Sequence, residues 1–589
     1  MATIIARPER RTSTRPERID MATAAHGRVM LMLLLLAAVL LVLAGKMMWI
    51  GVEANARGSR SVSGTPIPIR ADIVDRNGVP LARNIDGYSI AVHPDKIMGD
   101  RAQIAERLHA IFPDESAQQF YAILTSGKQW AYLRRRAEPN EVAAVNALGE
   151  IAIEFPREKE RLYPQRTLAA HLIGFTNIDG HGGMGVERFF DKRLTDEKLR
   201  NTPLMLSIDA RAQAALEEET IKGVTAQRAK GAAGIVLDVH SGEVIAMVSV
   251  PTFNPNKLDP LPVLPPVMGR DGKLHPAPIP CDLSPRCNRV VQARYELGSV
   301  FKPLSIGAAM DAGVVTDLSK RYDATHPLEI GGFLIHDHDP LNRWMNVPEA
   351  LIHSSNIVAA RIADDLQMAA GNRLADVYRQ LEFDRRASIE LPEQDKTLWP
   401  REWSRIANMT AAYGHGIAVT PMHLASAYAA LVNGGVWHPA TVLKRQPGEE
   451  PAGRRVFSAE TSAKMRQLLR MIVQSGTGRR ANAEGYRIGG KTGTGEKPGI
   501  GGYSKHSNVV TFASVFPMDE PKYVVIVVMD DPQGSKEFPG VRTAAYTSAP
   551  IVKAFVQRVG PLLGVYPEAN RDIDISELLP LIEGDKDRE

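Results

Sequence analysis

The chain has 589 residues, 44% of them apolar and 23% charged, enough for several domains with buried cores and outside the range of disordered, collagen-like or coiled-coil chains. Its 71 Lys plus Arg against 67 Asp plus Glu leave a net +4, too slight an excess for a nucleic-acid-binding surface. Two Cys exclude a disulfide-built scaffold and any four-thiolate metal site.

Six Arg stand within residues 1–28, ahead of the uncharged apolar run 29–45, which continues past Lys46 to Ile50. That run is long enough to cross a bilayer as a slightly short helix. The Arg excess before it puts the N-terminus in the cytoplasm and everything from about residue 51 outside the membrane. A cleaved leader is the competing reading, with Ala54-Asn55-Ala56 as its site, but that site lies well beyond the end of the run. Residues 57–69, rich in Gly, Ser and Pro, read as a linker, and 71–78 as a strand ending in an Asn-Gly turn.

Mixed helical and short strand patterns follow as far as Pro203 without evident chemistry. Beyond Leu204, 234–239 and 243–248 read as two strands around a His-Ser-Gly turn, and 508–515 and 522–529 as further buried strands. The expectation is an α+β chain with a cytoplasmic tail 1–28, a transmembrane anchor 29–50, a linker and non-catalytic domain 51–203, a catalytic domain 204–571 and an acidic tail 572–589. The catalytic sheet is assembled from both ends of its domain around inserted helices.

The chemistry concentrates in three places. Ser299 and Lys302 sit i, i+3 at the start of a helical stretch, a spacing that lets the amine reach the hydroxyl beside unpaired helix N–H groups. As a base, Lys302 must be neutral, which burial or a neighbouring cation would bring about. Ser354-Ser355-Asn356 opens an amphipathic pattern, and Lys491-Thr492-Gly493-Thr494 falls where a strand is expected. Singly, Ser354 reads more readily as a helix N-cap and the Lys-Thr-Gly as a surface turn. Jointly, Ser354 can pass a proton, Asn356 can hold a substrate amide, and Lys491 with Thr492 and Thr494 can bind a carboxylate. Gly489, Gly490 and Gly493 would then let a peptide backbone lie against the strand. His336-Asp337-His338-Asp339 is read as a polar loop, since no helical spacing or third ligand makes it a metal site.

These three elements, in this order, resemble the signature set of the penicillin-binding proteins. Arg161-Leu162-Tyr163-Pro164 through His171, Gly174, Gly185 and Glu187 is similar to the pedestal motifs of the class B enzymes, as is 71–78, although Ala71 stands where the family usually has Gly. Tyr413 to Gly416, Thr420-Pro421 and 429–435 are similar to further landmarks of the catalytic domain. Ser-Ser-Asn at the second motif resembles the division-specific branch.

The resemblance implies a β-lactamase-like catalytic domain, an antiparallel sheet flanked by helices, on an elongated pedestal. It also implies a septal D,D-transpeptidase that cross-links D-Ala-D-Ala-ended stem peptides, is acylated by β-lactams and needs no metal or other cofactor. Ser299, Lys302, Ser354, Asn356 and Lys491 would be its catalytic set, and Thr492, Gly493 and Thr494 would bind substrate. The implied partners are nascent peptidoglycan, the inner membrane, a SEDS-type glycan polymerase and other division proteins, with the catalytic domain periplasmic. Leu297 replaces a common Pro and Val300-Phe301 a frequent Thr-Met, which leaves inhibitor preference open. For Cys281 and Cys287, six residues apart, a disulfide and two separately buried thiols are both open.

Overall fold

Every second residue of the strand Tyr523–Asp530 faces one core and the residues between face another: Val525, Val527 and Met529 belong to the first, Val524, Ile526 and Val528 to the second. A strand covered on both faces reads as a continuous apolar run rather than an alternation, which is how 522–529 appears in sequence. The computed structural model describes residues 68–582 apart from 269–271, 278 and 500–501, together with 30, 32, 34–43 and 46.

The first folded region is a six-stranded sheet built on one long strand. Strand β1 (Ile73–Val74) turns through Asn77-Gly78 into β2 (Pro80–Val92). Gly78 has φ +84°, and Asp75 Oδ1 accepts from Asn77 N and Val79 N at 2.8 Å each, the local bonding that makes Asp-x-Asn-Gly a turn. Strands β3 (Ala131–Ala137), β4 (Ile153–Glu154) and β5 (Arg157–Leu162) all pair antiparallel with β2, and β6 (Leu204–Met205) runs parallel to β1. Helices α1 (Arg101–Ile111) and α2 (Ala117–Leu124), capped by Asp100 and Ser116, close a separate small core around Leu108, Phe112, Phe120 and Leu133.

The second sheet has five strands. Strands β7 (Gly231–Asp238) and β8 (Val244–Val250) form the expected hairpin, and β9 (Gly489–Gly499), β10 (Gly502–Phe516) and β11 (Tyr523–Asp530) come from the far end of the chain. The order is β9-β10-β11-β7-β8 with every pair antiparallel. On one face lie α3 (Ala210–Gln227) and the late helix α8 (Ser548–Val559), through Leu216, Ile551 and Phe555. On the other lie α4 (Lys302–Asp311), α5 (Asn356–Ala370), α6 (Pro421–Val432) and α7 (Ala459–Ser475). The sheet is thus assembled from both ends around inserted helices.

The expected tail 1–28 lies outside the described residues, as does most of the expected anchor 29–50. Its described members, 30, 32, 34–43 and 46, are helical and exposed. Among the described residues no helix is long and apolar enough to cross a membrane. The stretch from 572, expected as an acidic tail, is packed over its described part. Asp572 pairs with Arg470 at 2.6 Å, and Ile575, Leu578 and Ile582 are buried; 583–589 lie outside the described residues. Cys281 and Cys287 are joined in a disulfide.

Candidate active site

Ser299 sits on a single 3-10 turn, Gly298–Phe301, that runs straight into α4. Lys302 is the first residue of α4, and Pro303 follows at a first-turn position where a missing N–H breaks no helical bond. One turn separates the two side chains, and Lys302 Nζ lies 2.9 Å from Ser299 Oγ. The lysine is fully buried while Ser299 is half-exposed, so the hydroxyl is open to solvent and the amine stands behind it.

Ser354 reaches the same place from the loop between the helix Val347–Ile352 and α5. Its backbone is left-handed, φ +62°, a costly conformation for a residue with a Cβ and one held only where surroundings enforce it. Ser354 Oγ lies 3.2 Å from Lys302 Nζ and 2.8 Å from Lys491 Nζ, and Lys302 Nζ also donates to the Ser354 carbonyl. Lys491, buried on β9, donates in addition to the carbonyl of Thr492 at 3.0 Å. The structure therefore joins Ser299, Lys302, Ser354 and Lys491 in one unbroken chain of polar contacts.

The charge state follows from burial. Desolvation pushes Lys302 well below its ordinary value, and the nearby Lys491 cation pushes it further in the same direction, against an opposing pull from Asp337. Burial alone lowers Lys491 to about 7. Both lowering effects favour the neutral amine of Lys302, the form that can accept a proton from Ser299.

Asn356 opens α5, half-buried, with Nδ2 donating to His336 O at 3.0 Å. The helix N-cap is Ser355, whose Oγ accepts from Val358 N at 3.2 Å, so the capping role weighed for Ser354 belongs to its neighbour. Thr492 Oγ1 pairs with Thr477 Oγ1 at 2.7 Å. Thr494 lies against the nucleophile turn: a Cβ on Gly298 would stand 2.2 Å from Thr494 O and 3.3 Å from Thr494 N.

The glycines of β9 are closely packed on their Cβ side. A Cβ at Gly489 would meet Met518 and the Arg470 backbone, one at Gly490 the Ala513 carbonyl, and one at Gly493 the Leu297 carbonyl at 2.3 Å. The absent side chains admit the Met518 side chain and neighbouring backbone at these positions, and β9 itself is the edge strand of its sheet. Gly493 in particular seats the lysine-bearing strand against the turn that holds Ser299.

Two contributors escape a reading of the sequence. Asp337 accepts from Ser355 Oγ at 2.8 Å and from the backbone N–H of Asn356 and Ile357, holding the N-terminus of α5 in place. It lies in the loop read only as polar, and nothing local to it predicts a helix begun 19 residues later. Thr477, the partner of Thr492, lies just past the C-cap of α7 and carries no motif. Among the described residues no His, Cys, Asp and Glu cluster has the makings of a metal site.

Comparison with known proteins follows this division of the chain. Residues 66–202 match the family model described as penicillin-binding protein dimerisation domain, and 232–557 match that of the penicillin-binding protein transpeptidase domain. The chain is 35% identical over 506 residues to the probable peptidoglycan D,D-transpeptidase FtsI of Caulobacter vibrioides, covering 84% of this chain and 82% of that one. It is 29% identical over 542 residues to the peptidoglycan D,D-transpeptidase FtsI of Escherichia coli K12, covering 87% and 86%. In fold it is similar to the crystal structure of penicillin binding protein 3 from Mycobacterium tuberculosis complexed with aztreonam, with a TM-score of 0.63 at 23% identity over 85% of this chain and 98% of that one.

Proposed function

Because the chain belongs to the class B penicillin-binding proteins and carries both their dimerisation and their transpeptidase domain, we propose that it is the peptidoglycan D,D-transpeptidase of cell division, working through an acyl-enzyme on Ser299. The observation that carries the mechanism is the 2.9 Å approach of a fully buried Lys302 amine to the half-exposed Ser299 hydroxyl. Names of relatives such as the Caulobacter and Escherichia coli enzymes support the reaction and the septal role.

In this mechanism Ser299 Oγ attacks the carbonyl carbon of the penultimate D-Ala of a stem peptide, and neutral Lys302 takes the hydroxyl proton. The backbone N–H groups of Ser299 and Thr494 receive the developing oxyanion. The peptide C–N bond breaks, and the terminal D-Ala leaves with a proton returned through Lys302 and Ser354. Asn356 holds a side amide of the donor peptide, while Lys491, Thr492 and Thr494 hold its terminal carboxylate beside Gly493. An amine of a second stem peptide then attacks the ester, forms the cross-link and gives its proton back along the same path. β-Lactams acylate the same serine.

Residues 29–50 are the proposed membrane tether, with 1–28 cytoplasmic and the folded regions periplasmic at the division site. The helical, exposed apolar residues 34–43 support this. A SEDS-type glycan polymerase is the proposed membrane partner, meeting the apolar faces of that segment.

The test is incubation of the full-length protein with a donor thioester and a D-amino acid acceptor. Exchange product identifies a transpeptidase, whereas hydrolysis alone would reassign it as a carboxypeptidase. The Ser299→Ala variant should remain folded and take no fluorescent penicillin; stoichiometric labelling of that variant would remove Ser299 as nucleophile.

A further inference from the structure

The pedestal holds a charged side chain left half-paired inside the protein. Arg161, on β5, has a side chain only 3% exposed. Its Nε donates to Glu187 Oε1 at 2.7 Å, yet among the described residues neither Nη1 nor Nη2 meets an acceptor. Its neighbour Arg70 is saturated by contrast, with Nε and Nη2 on Glu187 and Nη1 on Gly180 O and Asp191. Buried guanidinium N–H groups without acceptors are costly. The end of a guanidinium, with two N–H groups in one plane, matches the two oxygens of a carboxylate or phosphate.

Arg161 lines a cavity of about 290 Å³. Three further buried polar atoms of its lining residues also lack partners among the described residues: Arg135 Nε, Thr176 Oγ1 and Glu160 Oε1. Other polar groups of the wall are committed elsewhere. Asn256 clamps the backbone of Tyr163 through both its amide atoms, Glu158 accepts from Ser89 and Tyr132, and Lys159 pairs with Asp86. The atoms without partners are therefore mostly donors, on residues that line one space, with the Arg135 guanidinium also bonded to Ile178 O and stacked on Tyr132.

We propose that this cavity is an oxyanion-binding site, taking a small ligand that presents a carboxylate or a phosphate to Nη1 and Nη2 of Arg161, with Arg135 Nε and Thr176 Oγ1 as further donors. Glu160 tunes the site. It is faced by Arg136, whose backbone also hydrogen-bonds to it, and, with its own sign, by Glu158; burial raises its carboxyl to about 7. Ionised, it opposes the bound anion; protonated, it adds a donor.

Inorganic phosphate and acetate, titrated separately into the detergent-solubilised full chain at constant ionic strength and followed by calorimetry, test the site. Saturable binding of at least one probe is expected, and which one binds more tightly identifies the chemical source. Arg161→Lys keeps a cation beside Glu187 but loses the fork, so binding should weaken at least tenfold. Glu160→Gln removes the opposing charge and should tighten binding severalfold. If Arg161→Lys does not fold, Thr176→Val should weaken binding while Glu160→Gln strengthens it. No saturable binding of either probe, or variants that bind like the parent, overturns the proposal.

Discussion

Lys302 and Lys491, far apart in sequence, approach one oxygen from two sides: Ser354 Oγ lies 3.2 Å from the first amine and 2.8 Å from the second. Two buried ammonium groups so close cannot both stay charged. The left-handed backbone of Ser354 is the conformation that carries its hydroxyl between them, and the crowding favours the neutral form of the amine that lies 2.9 Å from Ser299. On the proposed mechanism acylation needs the deprotonated form and should fall away as pH drops through the titration of the pair.

Replacing Lys491 by Met tests that coupling. The substitution keeps the bulk and removes the cation that lowers Lys302, so Lys302 gains its proton at higher pH. The acid limb of the profile of acylation rate against pH, measured with a fluorescent penicillin, should move to higher pH, and the rate at neutrality should fall about 10–1,000-fold. A limb that stays where it is in the parent enzyme would show that the two amines do not share their proton.

Asp337 acts on the same lysine with the opposite sign. Its carboxylate raises the titration of Lys302, so Asp337→Asn should move the acid limb to lower pH. The same change weakens the bonds to Ser355, Asn356 and Ile357, costing about 1–3 kcal/mol of stability. Melting temperature and the pH profile together separate the two effects: a purely structural Asp337 would lower the first and leave the limb unmoved.

How much of this was legible in sequence depended on whether a residue's partner was local. The i, i+3 pair Ser299 and Lys302 is held by one turn of chain, so spacing alone brings the amine to the hydroxyl. The hairpin β7–β8 and the buried strand β11 announce themselves by apolar runs and a turn. Asp337 and Thr477 act across loops, by contacts set only when the helices pack, and neither has a distinctive neighbourhood. The glycines of β9 mark close approach, but that Gly493 abuts Leu297, nearly two hundred residues upstream, is set only by the fold. The segment from 572 looked like a tail because its acids are conspicuous, whereas its fixing points are Arg470 and three spaced apolar residues.

Gly493→Ala should separate fold from activity. The new Cβ would fall 2.3 Å from Leu297 O and 2.9 Å from Val300 Cγ1, so the strand or the nucleophile turn must shift by several tenths of an ångström. Overpacking of this kind costs about 1–3 kcal/mol, which a domain of this size survives. Misplacement of reacting groups is more damaging, and penicillin acylation should drop roughly 100-fold. Circular dichroism unchanged with labelling lost is the expected pair of results; full labelling would mean that the turn yields without consequence.

The disulfide reaches the same strand from its other end. Asp282, inside the Cys281–Cys287 loop, pairs with Arg289 Nη2 at 3.2 Å and with Lys497 Nζ at 3.4 Å, and Lys497 on β9 also pairs with Asp530 at 2.7 Å. Closing so short a loop stabilises by about 2 kcal/mol through chain entropy, and it also keeps an acid beside the strand that bears Lys491. Alkylation of the unfolded, non-reduced protein should label no thiol by mass. The double variant Cys281→Ser, Cys287→Ser should melt several degrees lower and acylate a few-fold more slowly. A thiol reductant should bring the parent enzyme to the same values while leaving the double variant unchanged. Two alkylated cysteines without reduction would remove the bond, and equal acylation in both proteins would confine its role to stability.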